Sequence, residues 1–227
     1  MRTKSFLILD LSQTRLALIW LAGFFAYAAL LGLFQMLLPD LFSNGLRRYS
    51  FQIFLAIALF FLWRKGWRPV WRCCGRSFWI PFGFLAVYFF CLWILNFICK
   101  TEEDPVLTFL PSSRNFQDLM LLALVAPVLE ELFFRDLILR ALYSRFARFS
   151  AAVLLSSLFF MIAHQTLHGG AFVLGLVNGI LFLASESILG PIVFHSVSNL
   201  SWYFLPIWFP HFFQKLVVGN WLHFFYK

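Results

Sequence analysis

Long apolar runs separated by short polar links dominate this chain, and that pattern predicts helices that cross a bilayer. The runs fall at about Leu16–Leu38, Phe51–Trp63, Phe78–Cys99, Gln117–Leu139, Ser150–His168, Gly170–Ser185 and Ile188–Trp208. The second run is short for a span, and it can extend backwards into Tyr49–Ser50. The closing stretch, 207–226, is ambiguous: His211, Lys215 and Gly219 share a helical face, which suits an interfacial amphipathic helix or an eighth span. The expected architecture is all-α: a polytopic membrane helix bundle of about seven (six to eight) spans around a polar intramembrane cavity. Residues 1–227 are expected to form a single integral membrane domain.

Composition strengthens the membrane reading. Hydrophobic residues make up 62% of the chain, and mean hydropathy is +0.83, whereas soluble domains are about 45–50% apolar. The net charge of +8 does not point to nucleic acid, because the basic residues sit in short links between spans. There they report topology and contact with anionic headgroups. The link with Arg64, Lys65, Arg68, Arg72 and Arg76 is interleaved with Trp, as in a cytoplasmic loop at headgroup level. The link with Glu102, Glu103 and Asp104 is acidic, and the one with Arg140, Arg145 and Arg148 is basic again. This alternation places the N-terminus in the cytoplasm, with the first span read as an uncleaved anchor. The cysteines, Cys73, Cys74, Cys91 and Cys99, have no metal-site spacing.

The fourth run breaks the apolar rule. It carries Glu130, Glu131 and Arg135 deep within it, and one ionised side chain at mid-bilayer costs at least ~2.5–3.5 kcal/mol. Adjacent helical residues point about 100° apart, so the two carboxylates are read as serving different tasks. Glu131 and Arg135, at i and i+4 with the acid first, are read as a structural pair. That leaves Glu130 facing something else. His164 closes the fifth run, while His195 and Asn199 are i, i+4 neighbours in the seventh. At a rise of about 1.5 Å per residue, Glu130 lies ~15 Å from Arg140, His164 ~20 Å from Ala151 and His195 ~10 Å from Ile188. These depths let one buried polar chamber hold all four side chains. Gly175 and Gly179 form a G-x-x-x-G that permits close helix packing. The chain has no Gly-rich phosphate loop and no Ser nucleophile elbow.

Three short motifs, E-E-L-F-F-R (Glu130–Arg135), F-M-I-A-H (Phe160–His164) and H-S-V-S-N (His195–Asn199), resemble in order the E-E-x-x-x-R, F-x-x-x-H and H-x-x-x-N/D motifs of the CPBP intramembrane proteases. That family includes the type II CAAX prenyl endopeptidases and bacterial immunity-type relatives. The resemblance covers about 117–201, the expected catalytic core. Two positions depart from it. Asp136 stands where a Gly often follows the motif Arg, and Ser185–Ser187 replaces a T-G-S-like turn.

The resemblance implies hydrolysis of a peptide bond within the membrane, in a membrane-anchored protein or peptide that is lipidated or C-terminally tagged. It assigns Glu130 as the base that activates water, with His164 holding that water. His195 and Asn199 become the donors that stabilise the oxyanion, with Glu131 and Arg135 as structural support. A metal stays open. Two His and a Glu are also a common zinc set, and any zinc ligands would be Glu130, His164 and His195. The spacing is not H-E-x-x-H and the residues come from three spans, so no cofactor is assigned. Two other functions stay open as well: a proton- or ion-coupled transporter, and a non-catalytic immunity-type membrane binding protein.

Overall fold

The computed structural model describes residues 5–37, 44–99, 119–164 and 169–218, and every regular element among them is helical. After a 3-10 turn at Ser5–Leu7 come α1 (Leu11–Leu37), α2 (Asn44–Arg64) and α3 (Gly75–Ile98). The helical run 119–146, here α4, changes register along its length. It is π-helical over Leu121–Val125, α-helical over Ala126–Glu131, π-helical again over Leu132–Leu139 and α-helical over Arg140–Phe146. Then follow α5 (Phe149–Ala163), α6 (Gly169–Ser185), α7 (Leu189–Trp208) and α8 (Pro210–Val218).

Local chemistry explains several helix ends. Asp10 caps α1: its carboxylate accepts the Gln13 N–H and the Ser12 hydroxyl, each at 2.7 Å. The Gln13 N–H, and then the Ser12 hydroxyl, hold this exposed carboxyl below its ordinary value. After α2, Gly66 takes φ 91°. Its N–H bonds the Trp63 carbonyl at 3.1 Å, while the Trp67 N–H reaches the Leu62 carbonyl at 3.0 Å. This double reversal is a Schellman ending, and it needs glycine at the left-handed position. α4 ends at Ala147, which holds φ 54°.

Several boundaries differ from the hydropathy reading. α1 begins at Leu11 rather than Leu16, and α2 at Asn44 rather than Phe51. Arg47 and Arg48 are good helix formers that a hydropathy window rejects. α4 runs on past Leu139 for the same reason. α5 closes at Ala163, which puts His164 just beyond the helix rather than within a span. The positions 117–118, 165–168 and 219–226 of the expected fourth, fifth and last elements lie outside the described residues.

Of the expected crossings, two helices among the described residues are long and apolar enough to span a bilayer: Leu11–Phe34 and Gly75–Ile98. Most of their surface faces outward, and Trp79, Val87 and Phe97 of α3 are exposed. The apolar helices Tyr49–Arg64, Phe149–Ala163 and Gly169–Ser185 are shorter. A 15-residue helix such as α5 rises ~22 Å, against an apolar core of ~30 Å. The nine residues of α8 rise ~13 Å. The Phe212 N–H near its start is taken by the Asn96 side chain of α3 at 3.0 Å.

Two packing features position the site. Glycines at 175 and 179 bring α6 close to α5. A Cβ at 175 would stand 3.0 Å from the Ser157 Cα, and one at 179 would stand 2.9 Å from Val153. Around them, Phe24 of α1, Phe133 and Phe134 of α4, and Phe160 of α5 form a buried aromatic core. Second, the link after α2 is strapped down. The Val70 N–H donates to Asp136 at 2.9 Å and the Val70 carbonyl accepts the Ile188 N–H at 3.0 Å. Arg140 bridges Asp136 at 3.1 Å and the Arg68 carbonyl at 3.3 Å. The Arg72 N–H reaches the Ser187 hydroxyl at 3.2 Å, and its guanidinium pairs with Glu186 at 3.0 Å. Both departures from the family motifs, Asp136 and the Ser185–Ser187 turn, thus hold the same strap.

Candidate active site

The α-helical segment Ala126–Glu131 presents both carboxylates, and their partners differ as the 100° step between neighbours requires. Glu130 accepts from the Gln52 amide of α2: Gln52 Nε2 stands 2.9 Å from Glu130 Oε1. Its other oxygen, Oε2, faces two imidazoles, 3.8 Å from His164 Nε2 and 3.9 Å from His195 Nε2. Glu131 lies 3.2 Å from Arg135 Nε through Oε2. Its Oε1 accepts from His195 Nδ1 and from Asn178 of α6, each at 2.8 Å.

His195 therefore joins the two carboxylates that the sequence reading separates: one ring nitrogen meets Glu131 and the other faces Glu130. Nor is Glu131 partnered by Arg135 alone. A carboxylate has about four lone-pair sites, and here the imidazole and the amide both bond Oε1 while Oε2 faces the charge of Arg135.

The ring nitrogens sort themselves by their partners. His164 Nδ1 is 2.8 Å from the Phe160 carbonyl. A carbonyl only accepts, so Nδ1 carries the proton of the neutral ring and Nε2 keeps its lone pair. His195 Nδ1 meets a carboxylate, and the same logic applies. Two imidazole lone pairs and one carboxylate oxygen thus look toward a common region. Three acceptors in one place call for a donor such as water. Burial grades the site: the side chains of His195 and Glu130 are 2% and 7% exposed, while that of His164 is 34% exposed. His164 stands at the mouth rather than inside a closed chamber.

Phe160, the aromatic residue of the second motif, forms the wall between these groups. Its ring is 4.4 Å from that of His164, 5.7 Å from that of His195 and 4.6 Å from the Arg135 guanidinium. Arg135, fully buried, also reaches the Ser156 hydroxyl at 3.4 Å, and Ser156 in turn donates to the Phe134 carbonyl at 2.7 Å.

Asn199 does something the motif does not announce. Its amide donates to the Leu122 carbonyl at 2.8 Å. In this π-helical segment the Ala126 N–H bonds back to Leu121. The next donor in that register is Pro127, which has no N–H. The Leu122 carbonyl is thereby left over, and Asn199 closes it from α7.

For zinc, the donor types suit but the spacing is wide. Bonds of ~2.1 Å set tetrahedral ligand atoms ~3.4 Å apart, against the 3.8 and 3.9 Å here. Among the described residues no group of three or more His, Cys, Asp or Glu forms a metal site.

Two partners were missed from sequence. Gln52 is a lone amide in an apolar run. With α2 read as starting at Phe51, it sat at the membrane edge, whereas the helix begins two turns earlier. Asn178 lies inside the G-x-x-x-G, a motif read for packing alone. An uncharged polar residue on a close-packed glycine face was the available signal.

Residues 112–201 match the family model described as Rce1-like, type II CAAX prenyl endopeptidase. The match spans all three motifs and supports the resemblance to the CPBP proteases. No curated protein and no solved structure gives a significant match.

Proposed function

We propose that this protein, Rce1-like over residues 112–201 and so carrying the core of a membrane-embedded protease family, is an intramembrane endopeptidase. It cuts a peptide bond in a membrane-anchored protein that bears a lipid or a C-terminal tag. Helices α1–α7 form the bundle in the bilayer, with the N-terminus cytoplasmic. The alternating basic and acidic links support that topology. One observation carries the functional reading: Glu130 Oε2 lies within 4 Å of the Nε2 atoms of both His164 and His195.

Water sits among these three atoms. Glu130 takes its proton as the oxygen attacks the amide carbon, and His164, at the mouth, accepts the water's other hydrogen and orients it. The carbonyl π electrons move to oxygen, giving a tetrahedral oxyanion. The proton that Glu130 has taken moves on to the lone pair of His195 Nε2, 3.9 Å from Glu130 Oε2, and the imidazolium so formed donates to the oxyanion. Glu131, bonded to Nδ1, supports the cation. The Asn199 amide has two N–H groups. One is held by the Leu122 carbonyl, which leaves the second for the oxyanion. Loss of a single such donor typically lowers kcat 10²–10³-fold, about 2.7–4 kcal/mol. Collapse of the intermediate breaks the C–N bond, and the same proton passes from His195 to the leaving amine, which restores the neutral imidazole and the ionised Glu130.

The test is direct. Purified protein is incubated with membrane proteins of its host, with and without a chelator, and new termini are mapped by mass spectrometry. Wild type generates a defined set of termini, and His164→Ala generates none while still inserting. A full set from His164→Ala refutes the reading.

A further inference from the structure

We propose that Gln52 of α2, outside the region that matches the family, is a positioning residue that fixes the attacking geometry of Glu130. The inference rests on the peptidase reading above and adds a residue to that site.

Gln52 is 6% exposed, and its amide Nε2 donates to Glu130 Oε1 at 2.9 Å. With that oxygen held, the carboxylate cannot rotate freely, and Oε2 stays turned toward His164 and His195. The orientation of the amide follows from chemistry: its oxygen would repel an ionised Glu130, so the NH2 group must face the acid. A neutral donor suits the task. Glu131 lies beside the guanidinium of Arg135, 3.2 Å away, which holds its charge. Glu130 is gripped instead by an uncharged amide, which orients it yet leaves it able to accept a proton.

The second observation is what Gln52 leaves undone. Its Oε1 is buried with no hydrogen-bond partner. Burying an unmade acceptor costs stability, and an apolar side chain of similar length would fill the space without that cost. Packing therefore does not account for glutamine at 52, whereas the need of Glu130 for a donor does.

The experiment uses the full-length protein in proteoliposomes with a membrane-tethered peptide. Gln52→Met keeps the length and removes the donor. It is expected to lower kcat about 10–100-fold, the scale of a 1 Å misplacement, with KM within threefold. Gln52→Asn keeps the amide one methylene short and loses kcat in the same direction, so it carries the test should Gln52→Met not fold. Leu59→Ala, a cavity elsewhere in α2, lowers the unfolding temperature and leaves kcat intact. The proposal is overturned if the Gln52 variants keep full kcat, or if Leu59→Ala reproduces their kinetic loss. Glu130→Gln runs alongside. Cleavage retained there sinks the peptidase reading, whereas a dead Glu130→Gln beside a fully active Gln52→Met sinks this inference alone.

Discussion

Glu131→Gln isolates a buried carboxylate on which three side chains converge. The carboxylate is fully buried: it accepts from His195 Nδ1 and Asn178 Nδ2, each at 2.8 Å, and pairs by charge with the Arg135 guanidinium, whose Nε is 3.2 Å away. Glutamine offers one acceptor oxygen and turns an NH2 group toward the rest. Whichever way the amide is placed, it sets donor against donor on one side. It also leaves the buried Arg135 cation without its adjacent anion. Breaking one partner of a buried pair costs about 3–5 kcal/mol, so unfolding in mixed micelles should shift by that amount. The same logic sets a second figure. Arg135→Met in the Glu131→Gln background removes the stranded cation, so the double variant should be less destabilised than the sum of the singles, with a coupling of about 1–3 kcal/mol. Trp fluorescence during denaturant or SDS titration reads both. A Glu131→Gln protein within about 1 kcal/mol of wild type, or strict additivity in the double variant, refutes the reasoning.

Three further outcomes follow from packing and backbone. Gly175→Ala places a Cβ 3.0 Å from the Ser157 backbone and should cost about 1–3 kcal/mol in thermal unfolding by wedging α5 from α6. Asp136→Ala removes the acceptor shared by the Val70 N–H and Arg140. Trypsin should then cut faster after Arg72, with new fragments visible by mass spectrometry. Ala147→Gly relieves φ 54° at the end of α4 and should raise stability by about 0.5–1 kcal/mol, because only glycine holds that conformation freely.

The helices were legible because apolar runs cannot be hidden, yet their ends depended on residues hydropathy does not weigh. Gly66 marks the end of α2, but 44–48 joins the helix although Arg47 and Arg48, good helix formers, lower the hydropathy there. The π-helical register of α4 leaves no hydrophobic signature. It surfaces only through Pro127, whose missing N–H frees a carbonyl that Asn199 then takes. For the site, polar residues in apolar surroundings drew attention to Glu130, His164 and His195. Which atom meets which depended on tertiary packing. Adjacent carboxylates looked independent until a histidine from α7 came between them. Gln52, 78 positions away in sequence, had no pattern linking it to the acid. Asp136 and Ser185–Ser187 stood out as departures from a motif, and their shared role in holding the 67–72 strap emerged only in three dimensions.

The central claim is that a single buried carboxylate, Glu130, deprotonates the water that attacks the peptide. The measurement that tests it most directly is the cleavage rate of a membrane-tethered peptide by reconstituted wild type and Glu130→Gln, each verified as folded. General-base catalysis contributes about 10²–10⁴-fold, so the account predicts a rate at least ~10²-fold lower for Glu130→Gln. A variant that cleaves within threefold of wild type contradicts it.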